Sequence, residues 1–206
     1  MPRQIDISSI RREATRSIAL SEDRFRRFEA SAPRLDDLRW LCCMTLVEFH
    51  TAWERFAERR LVAALNQNPS HFLQENSVRG LTRIPAGLAQ VLARGGGKFF
   101  DFRSCSELID KSAKLVSAAN DPFRGIDASL RNHLDAMSSI RNVVVHASDS
   151  SKDAYKKKLR AVFSISSAPS VGEFLDSIDR RANSPLRGRK RVTMLGHVVS
   201  QACAQA

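Results

Sequence analysis

Apolar positions recur at helical spacing through most of the chain, and the period-two alternation of a half-buried strand is nowhere sustained. The clearest stripe is Leu35, Leu38, Cys42, Thr45, Phe49, Ala52, Phe56 and, after a wider gap, Ala63, broadened by Leu46 and Trp53. Its three- and four-residue steps predict one long amphipathic helix over about 35–66, ended by Asn66-Gln67-Asn68-Pro69. A second stripe, Ile126, Leu130, His133, Met137, Ile140, Val144 and Ala147, predicts a helix over 126–147. An Arg- and Glu-laced helix over 7–30 is broken by Ser31-Ala32-Pro33. Weaker patterns predict helices near 70–76, 86–94, 105–118, 152–163, 170–181 and 192–204. Gly95-Gly96-Gly97, Asn120-Asp121-Pro122, Ser148-Asp149-Ser150-Ser151 and Asn183-Ser184-Pro185 punctuate them. The expected fold is all-α, a bundle of long antiparallel helices forming one domain over 1–206. Its core spans about 35–165, and a basic helical extension covers about 170–206.

Composition narrows the class. With 206 residues, 43% hydrophobic and 27% charged, the chain has enough apolar side chains for a substantial core, which excludes collagen-like and wholly disordered classes. The run Met1-Pro2-Arg3-Gln4 leads into a charged segment rather than a signal peptide, and no apolar run approaches the roughly 18–20 residues of a membrane span. Four cysteines without a Cys-x-x-Cys pair and five scattered histidines give no metal-ligand spacing. The expectation is a soluble, reduced, cytoplasmic protein with no membrane partner, no metal and no cofactor. Gly95-Gly96-Gly97-Lys98 is not a phosphate loop, because Leu92 stands where its first glycine belongs and Phe99 where it needs Ser or Thr.

Charge adds a partner class. The net charge is +11, carried by 25 Arg and 8 Lys against 22 acidic residues. Guanidinium pairs bidentately with phosphate, so this balance suits nucleic acid. The surplus is uneven: residues 152–191 carry a net +7, whereas 101–151 carry −1. Lys152, Lys156, Lys157 and Lys158 are candidate RNA-backbone contacts, followed by Arg187-Gly188-Arg189-Lys190-Arg191.

The candidate chemistry lies in Ser139-Ile140-Arg141-Asn142-Val143-Val144-Val145-His146-Ala147-Ser148, at the end of the predicted 126–147 helix. An Arg-His pair at such a gap arises readily by chance in so Arg-rich a chain, and Arg191 with His197 is an internal example. That second pair lacks the following Asn and does not close a long amphipathic helix. Asn142 and His146 lie four apart on one helical face, whereas Arg141 and His146 point about 140° apart. One helix therefore cannot easily aim both at a single phosphate, but two copies meeting across a two-fold axis can. A His at a helix C-terminus lies at the negative end of the dipole, which favours the imidazolium used in proton transfer.

Arg141-Asn142 with His146 four residues further on resembles the signature of the HEPN superfamily of all-helical domains. The earlier Phe49-His50-Thr51-Ala52-Trp53-Glu54-Arg55-Phe56-Ala57-Glu58 is similar to its RiboL-PSP branch. The resemblance covers roughly residues 35–165. It implies a homodimeric, metal-independent endoribonuclease whose cleft lies between protomers, with Arg141, Asn142 and His146 as catalytic residues. It further implies a toxin–antitoxin or antiviral defence effector, acting on RNA and partnered by a cognate antitoxin or defence-system protein. In toxins of that superfamily silenced by a nucleotidyltransferase, a Tyr two residues beyond the His accepts the modification; Ser148 stands there in this chain.

Glu48, Glu54 and Ser148 are possible accessory residues of that cleft. Trp53 reads as core or dimer interface, and His50 and His133 as buried or peripheral. The alternative function is a non-catalytic helical module binding nucleic acid, nucleotide or a protein partner through the basic region.

Overall fold

The computed structural model describes residues 4–181 and 187–206. Its organising element is α2 (Leu35–Gln67), with α1 (Ile7–Ala30) before it. At 33 residues and a 1.5 Å rise, α2 is about 50 Å long. In its second half the stripe read from sequence broadens until Leu61, Val62, Ala63, Ala64 and Leu65 are all buried. A helix apolar on most sides must be surrounded, and α2 packs against five other helices. The helix α1 covers it with Ile10, Ala14, Ile18, Ser21 and Phe25, one face at three- and four-residue steps. The Asp6 carboxylate caps α1 by accepting the Ser8 backbone N–H at 2.9 Å.

Three short helices follow: α3 (Ser70–Glu75), α4 (Ala86–Ala93) and α5 (Cys105–Ala113). The helix α4 is fixed to α2 by Glu58, which accepts from Arg94 Nε at 2.6 Å and from Gln90 at 3.1 Å. Then come α6 (Ala128–His146), α7 (Asp149–Phe163), α8 (Val171–Asp176) and α9 (Arg191–Gln205). Asp127 caps α6 by accepting the Leu130 N–H, while its own N–H donates to Gln205 at the end of α9. At the other end Ala147 adopts φ 49°, and Ser148 caps α7. Two linker residues thus turn α6 back into α7. Tyr155, Leu159 and Phe163 bury one face of α7, with Phe163 edge-on to Phe174 of α8 at 4.9 Å. All these buried side chains form one contiguous core.

The described residues are mostly helical and contain no strand, only an isolated bridge between Ile178 and Lys190. No described helix is long and apolar enough to cross a membrane. Two predicted helices are shorter than their patterns suggest. The one expected over 105–118 ends at Ala113. Asp121 bonds back to Ser112 at 3.0 Å and to the Phe123 N–H, turning the chain so that Leu115, Val116 and Phe123 enter the core. The one expected over 170–181 ends at Asp176. There Asp179 N–H donates to Arg189 O and Arg191 N–H to Ser177 O, pairing the segment with the approach to α9. The break at Asn183-Ser184-Pro185 lies outside the described residues.

Two further contacts set the packing. His133 donates from Nδ1 to Ser129 O at 2.8 Å, which leaves Nε2 as acceptor toward Arg181 at 3.4 Å. Burial, reinforced by the Arg181 charge, lowers its pKa below the ordinary histidine value. Gly196 of α9 meets Phe49 so closely that an added Cβ would lie 2.7 Å from the ring. Alanine in a helix interior normally gains up to about 1 kcal/mol over glycine, but the buried Phe49 ring has nowhere to retreat. Gly196→Ala is therefore expected to destabilise the fold by about 1–3 kcal/mol, the cost of overpacking. An unchanged urea midpoint would contradict this packing.

Candidate functional site

The helix α6 carries Leu130, Leu134, Met137 and Ile140 into the core and then emerges from it. Arg141, the next residue, is half-exposed, while Asn142, Val145 and His146 are exposed. The guanidinium of Arg141 donates from Nη1 to Asn142 Oδ1 at 3.2 Å. His146 is the last residue of the helix, and its side chain makes no hydrogen bond or ion pair among the described residues. Within one chain, then, Arg141 and Asn142 are joined, and His146 stands apart on the helix end. Ser148 caps α7, its Oγ accepting the Ser151 N–H at 3.2 Å and lying 3.1 Å from Ser150 Oγ.

The two accessory carboxylates separate. Glu48 faces α1, accepting from the Ser21 hydroxyl and pairing with Arg24 at 3.5 Å. It is not part of the α6 surface. Glu54, by contrast, faces α6. Its Oε2 lies 3.4 Å from Nδ1 of His50, one turn earlier on α2. His50 is only 5% exposed, and its Nε2 lies 3.0 Å from Ser138 Oγ on α6. Ser138 also bonds the Leu134 carbonyl, at 3.1 Å. Burial opposes ionisation of Glu54, but its interactions with His50 and the positive charge of Arg141 outweigh this and hold its pKa below the usual glutamate value. Glu54 thus sits against the buried His50 and feels the charge of the half-exposed Arg141. Ser138 went unnoticed in the sequence, since nothing there shows which α2 residue faces it. A hydroxyl three residues before Arg141, hence on its side of the helix, was the available signal.

The lysines after the motif are mostly paired. Lys152 contacts Asp149 at 3.2 Å, Lys156 contacts Asp153 at 3.5 Å, and Lys158 reaches Asp135 on α6 at 3.5 Å. Lys157 is exposed and without an ion pair among the described residues. Further along, Lys190 bonds Asp176 and Glu29 at 2.5 and 2.8 Å. Arg181 grips the buried Asp179 at 2.8 Å, and Arg191 lies over the Phe174 ring at 4.9 Å. Much of the downstream basic surplus therefore anchors the junction of α8 and α9. Lys157, Arg160, Arg187 and Arg189 remain exposed to meet an anion.

Trp53 is fully buried, stacked on Phe56 and edge-on to Phe123, so it belongs to the core. Burial pushes the Cys42 and Cys203 thiols up to about 12, which leaves them unreactive at neutral pH. Among the described residues no three His, Cys, Asp or Glu side chains converge in a way that could hold a metal ion. A cavity of about 430 Å³ between α1 and α9 is lined by Glu22, Glu29, Arg26, Arg189, Lys190 and His197, away from α6. No protein-family model, curated protein or solved structure matches the chain.

Proposed function

We propose that this chain is a metal-independent endoribonuclease of the HEPN type, acting as a two-fold dimer on RNA, with Arg141, Asn142 and His146 at the shared cleft. The observation that carries the reading is the end of α6: Arg141, Asn142 and His146 share one solvent-facing helix terminus, and His146 is without an internal partner among the described residues. A solvated helix end needs no such trio. In the proposed reaction the ribose 2′-oxygen attacks the adjacent phosphorus as its proton passes to a neutral His146. The bond from phosphorus to the 5′-oxygen breaks, and a protonated His146 of the second copy supplies the proton to that leaving oxygen. The products are a 2′,3′-cyclic phosphate and a 5′-hydroxyl. Arg141 holds the non-bridging oxygens as charge builds on them, and Asn142 fixes the Arg141 guanidinium. A role as a toxin or defence effector, restrained by a cognate antitoxin or defence-system protein, follows the same resemblance.

Incubating single-stranded RNA with the protein in excess chelator tests the chemistry. The expected result is fragments ending in cyclic phosphate. Intact RNA that is nevertheless bound, with affinity falling steeply as salt rises, would replace this reading with the non-catalytic binding module.

A further inference from the structure

The described parts of the connection from α8 to α9, residues 177–181 and 187–190, are tied to α6 and α7 through one guanidinium. Arg181 grips both carboxylate oxygens of Asp179, Nε to Oδ1 at 2.9 Å and Nη2 to Oδ2 at 2.8 Å, and lies over the Phe163 ring of α7 at 4.8 Å. Its Nη1 donates twice more, to the Val162 carbonyl on α7 at 2.9 Å and to Nε2 of His133 on α6 at 3.4 Å. Asp179 in turn holds the approach to α9. Its N–H donates to Arg189 O at 2.9 Å, and its carbonyl accepts the Gly188 N–H at 2.8 Å. The Asp179 side chain is wholly buried, so the ion pair moves with the backbone that carries it.

The contact to His133 depends on a proton. Nδ1 faces Ser129 O at 2.8 Å, and since a carbonyl only accepts, Nδ1 carries the hydrogen. In the neutral ring this leaves the Nε2 lone pair for Arg181. Protonation puts a hydrogen on Nε2 as well. Two cationic donors then face each other across 3.4 Å, and a hydrogen bond is replaced by repulsion. A carbonyl or an amide in that place would accept from Arg181 at every pH, whereas an imidazole accepts only while neutral. The charged groups acting on the ring are Arg181 and Asp179 from the connection and Asp127 from the turn before α6. From α7 it meets the uncharged Phe163, edge-on at 5.5 Å. Burial and the Arg181 charge outweigh the Ser129 bond and the two carboxylates, which places protonation below the ordinary histidine range.

We propose that His133 and Arg181 form an acid-released clasp: protonation of His133 at Nε2 breaks its bond to Arg181 and loosens the connection between α8 and α9 from α6 and α7. The clasp does not depend on the ribonuclease reading. With the connection open, His133 takes up its proton at the ordinary histidine value of about 6.5; with it closed, only at lower pH. The clasp is therefore intact above the ordinary value and loses stability as pH falls through the lower one. Hydrogen exchange followed by NMR in the full chain reads this at the Asp179, Gly188 and Arg191 amides, whose bonds close the connection. Their protection, corrected for the intrinsic pH dependence of exchange, is expected to be level above about pH 7. Below the ordinary histidine value it is expected to fall about tenfold per pH unit, until the folded-state pKa of His133 is reached. Nitrogen-15 NMR of the ring is expected to show His133 titrating over the same range, with Nδ1 protonated throughout. His133→Gln, whose amide oxygen accepts from Arg181 but never ionises, is expected to flatten the dependence. His197→Gln is the control, a histidine lining the cavity beside Gly188 and Arg189, and it is expected to leave the dependence as in wild type. Protection that stays level while His133 titrates would overturn the proposal, as would His133 titrating at or above the ordinary value. A dependence that survives in a folded His133→Gln would do the same. If that variant does not fold, the wild-type curves decide alone, by whether protection and ring titration change together.

Discussion

Replacing His146 with alanine is expected to lower metal-free RNA cleavage by about 10²–10⁴-fold, the range for losing a positioned acid–base group. Arg141→Ala should cost a comparable amount, about 10²–10³-fold, because it removes charge stabilisation where the phosphorane develops. Arg141→Lys should recover little of it, since an ammonium cannot span two phosphate oxygens in the geometry of a guanidinium. These losses are expected to come without unfolding. His146 is exposed and Arg141 half-exposed beyond the last buried turn of α6, and changes at such positions are generally within about 0.5 kcal/mol. The decisive measurement pairs initial cleavage rates with urea midpoints for wild type and both variants. Equal rates in all three would remove Arg141 and His146 from the chemistry. Mixing the two inactive variants adds a test of the shared cleft, because a mixed dimer retains one wild-type Arg141 and one wild-type His146. Partial recovery on mixing is expected if the groups act across the two-fold axis.

The sequence made the helices visible where burial alone sets their pattern. In α6 the three- and four-residue apolar steps run uninterrupted, and in α2 they break only once, before Ala63, so the extents of both helices are legible to within about two residues. The ends of α5 and α8 were not visible for a specific reason. Asp121 terminates one and the Asp179–Arg189 pairing the other, through bonds made only after the chain has turned back. No local propensity encodes a bond whose partner is set by the rest of the fold.

The charge pattern shows the same boundary between local and long-range information. A net +7 over residues 152–191 invited one surface, yet Lys190 is satisfied by Glu29 on α1 and Lys158 by Asp135 on α6. Counting charges cannot separate those that face solvent from those that staple helices. The second Arg-His pair fails for the same reason: Arg191 is committed to Phe174 and Ser177 before any ligand arrives. The separation of Glu48 from Glu54, by contrast, was available in advance. Six residues apart on a helix, they project about 120° from one another and cannot both face α6. What the sequence withheld was which of the two does, and that a histidine one turn away would hold it there.

The largest loss of stability is expected at Trp53. Its side chain is fully buried in the middle of α2, with Phe56 stacked at 5.9 Å and Phe123 edge-on at 6.4 Å. Trp53→Ala removes the largest fully buried side chain and leaves a cavity that rigid neighbours close only in part. The expected cost is about 3–5 kcal/mol, against a total of about 5–15 kcal/mol for a domain. At this chain length about 2–4 °C of melting temperature is lost per kcal/mol, so the variant should melt at least several degrees lower and populate unfolded chains near physiological temperature. Trp53→Phe keeps a ring between Phe56 and Phe123 and should lose much less. Urea titration of both variants checks the ordering, with an unchanged slope showing that the folded state stays equally compact. The same pair separates core from chemistry. If Trp53 serves only packing, RNA affinity and kcat per folded molecule in Trp53→Phe equal those of wild type. A selective loss of affinity at intact stability would instead place the indole in contact with a base.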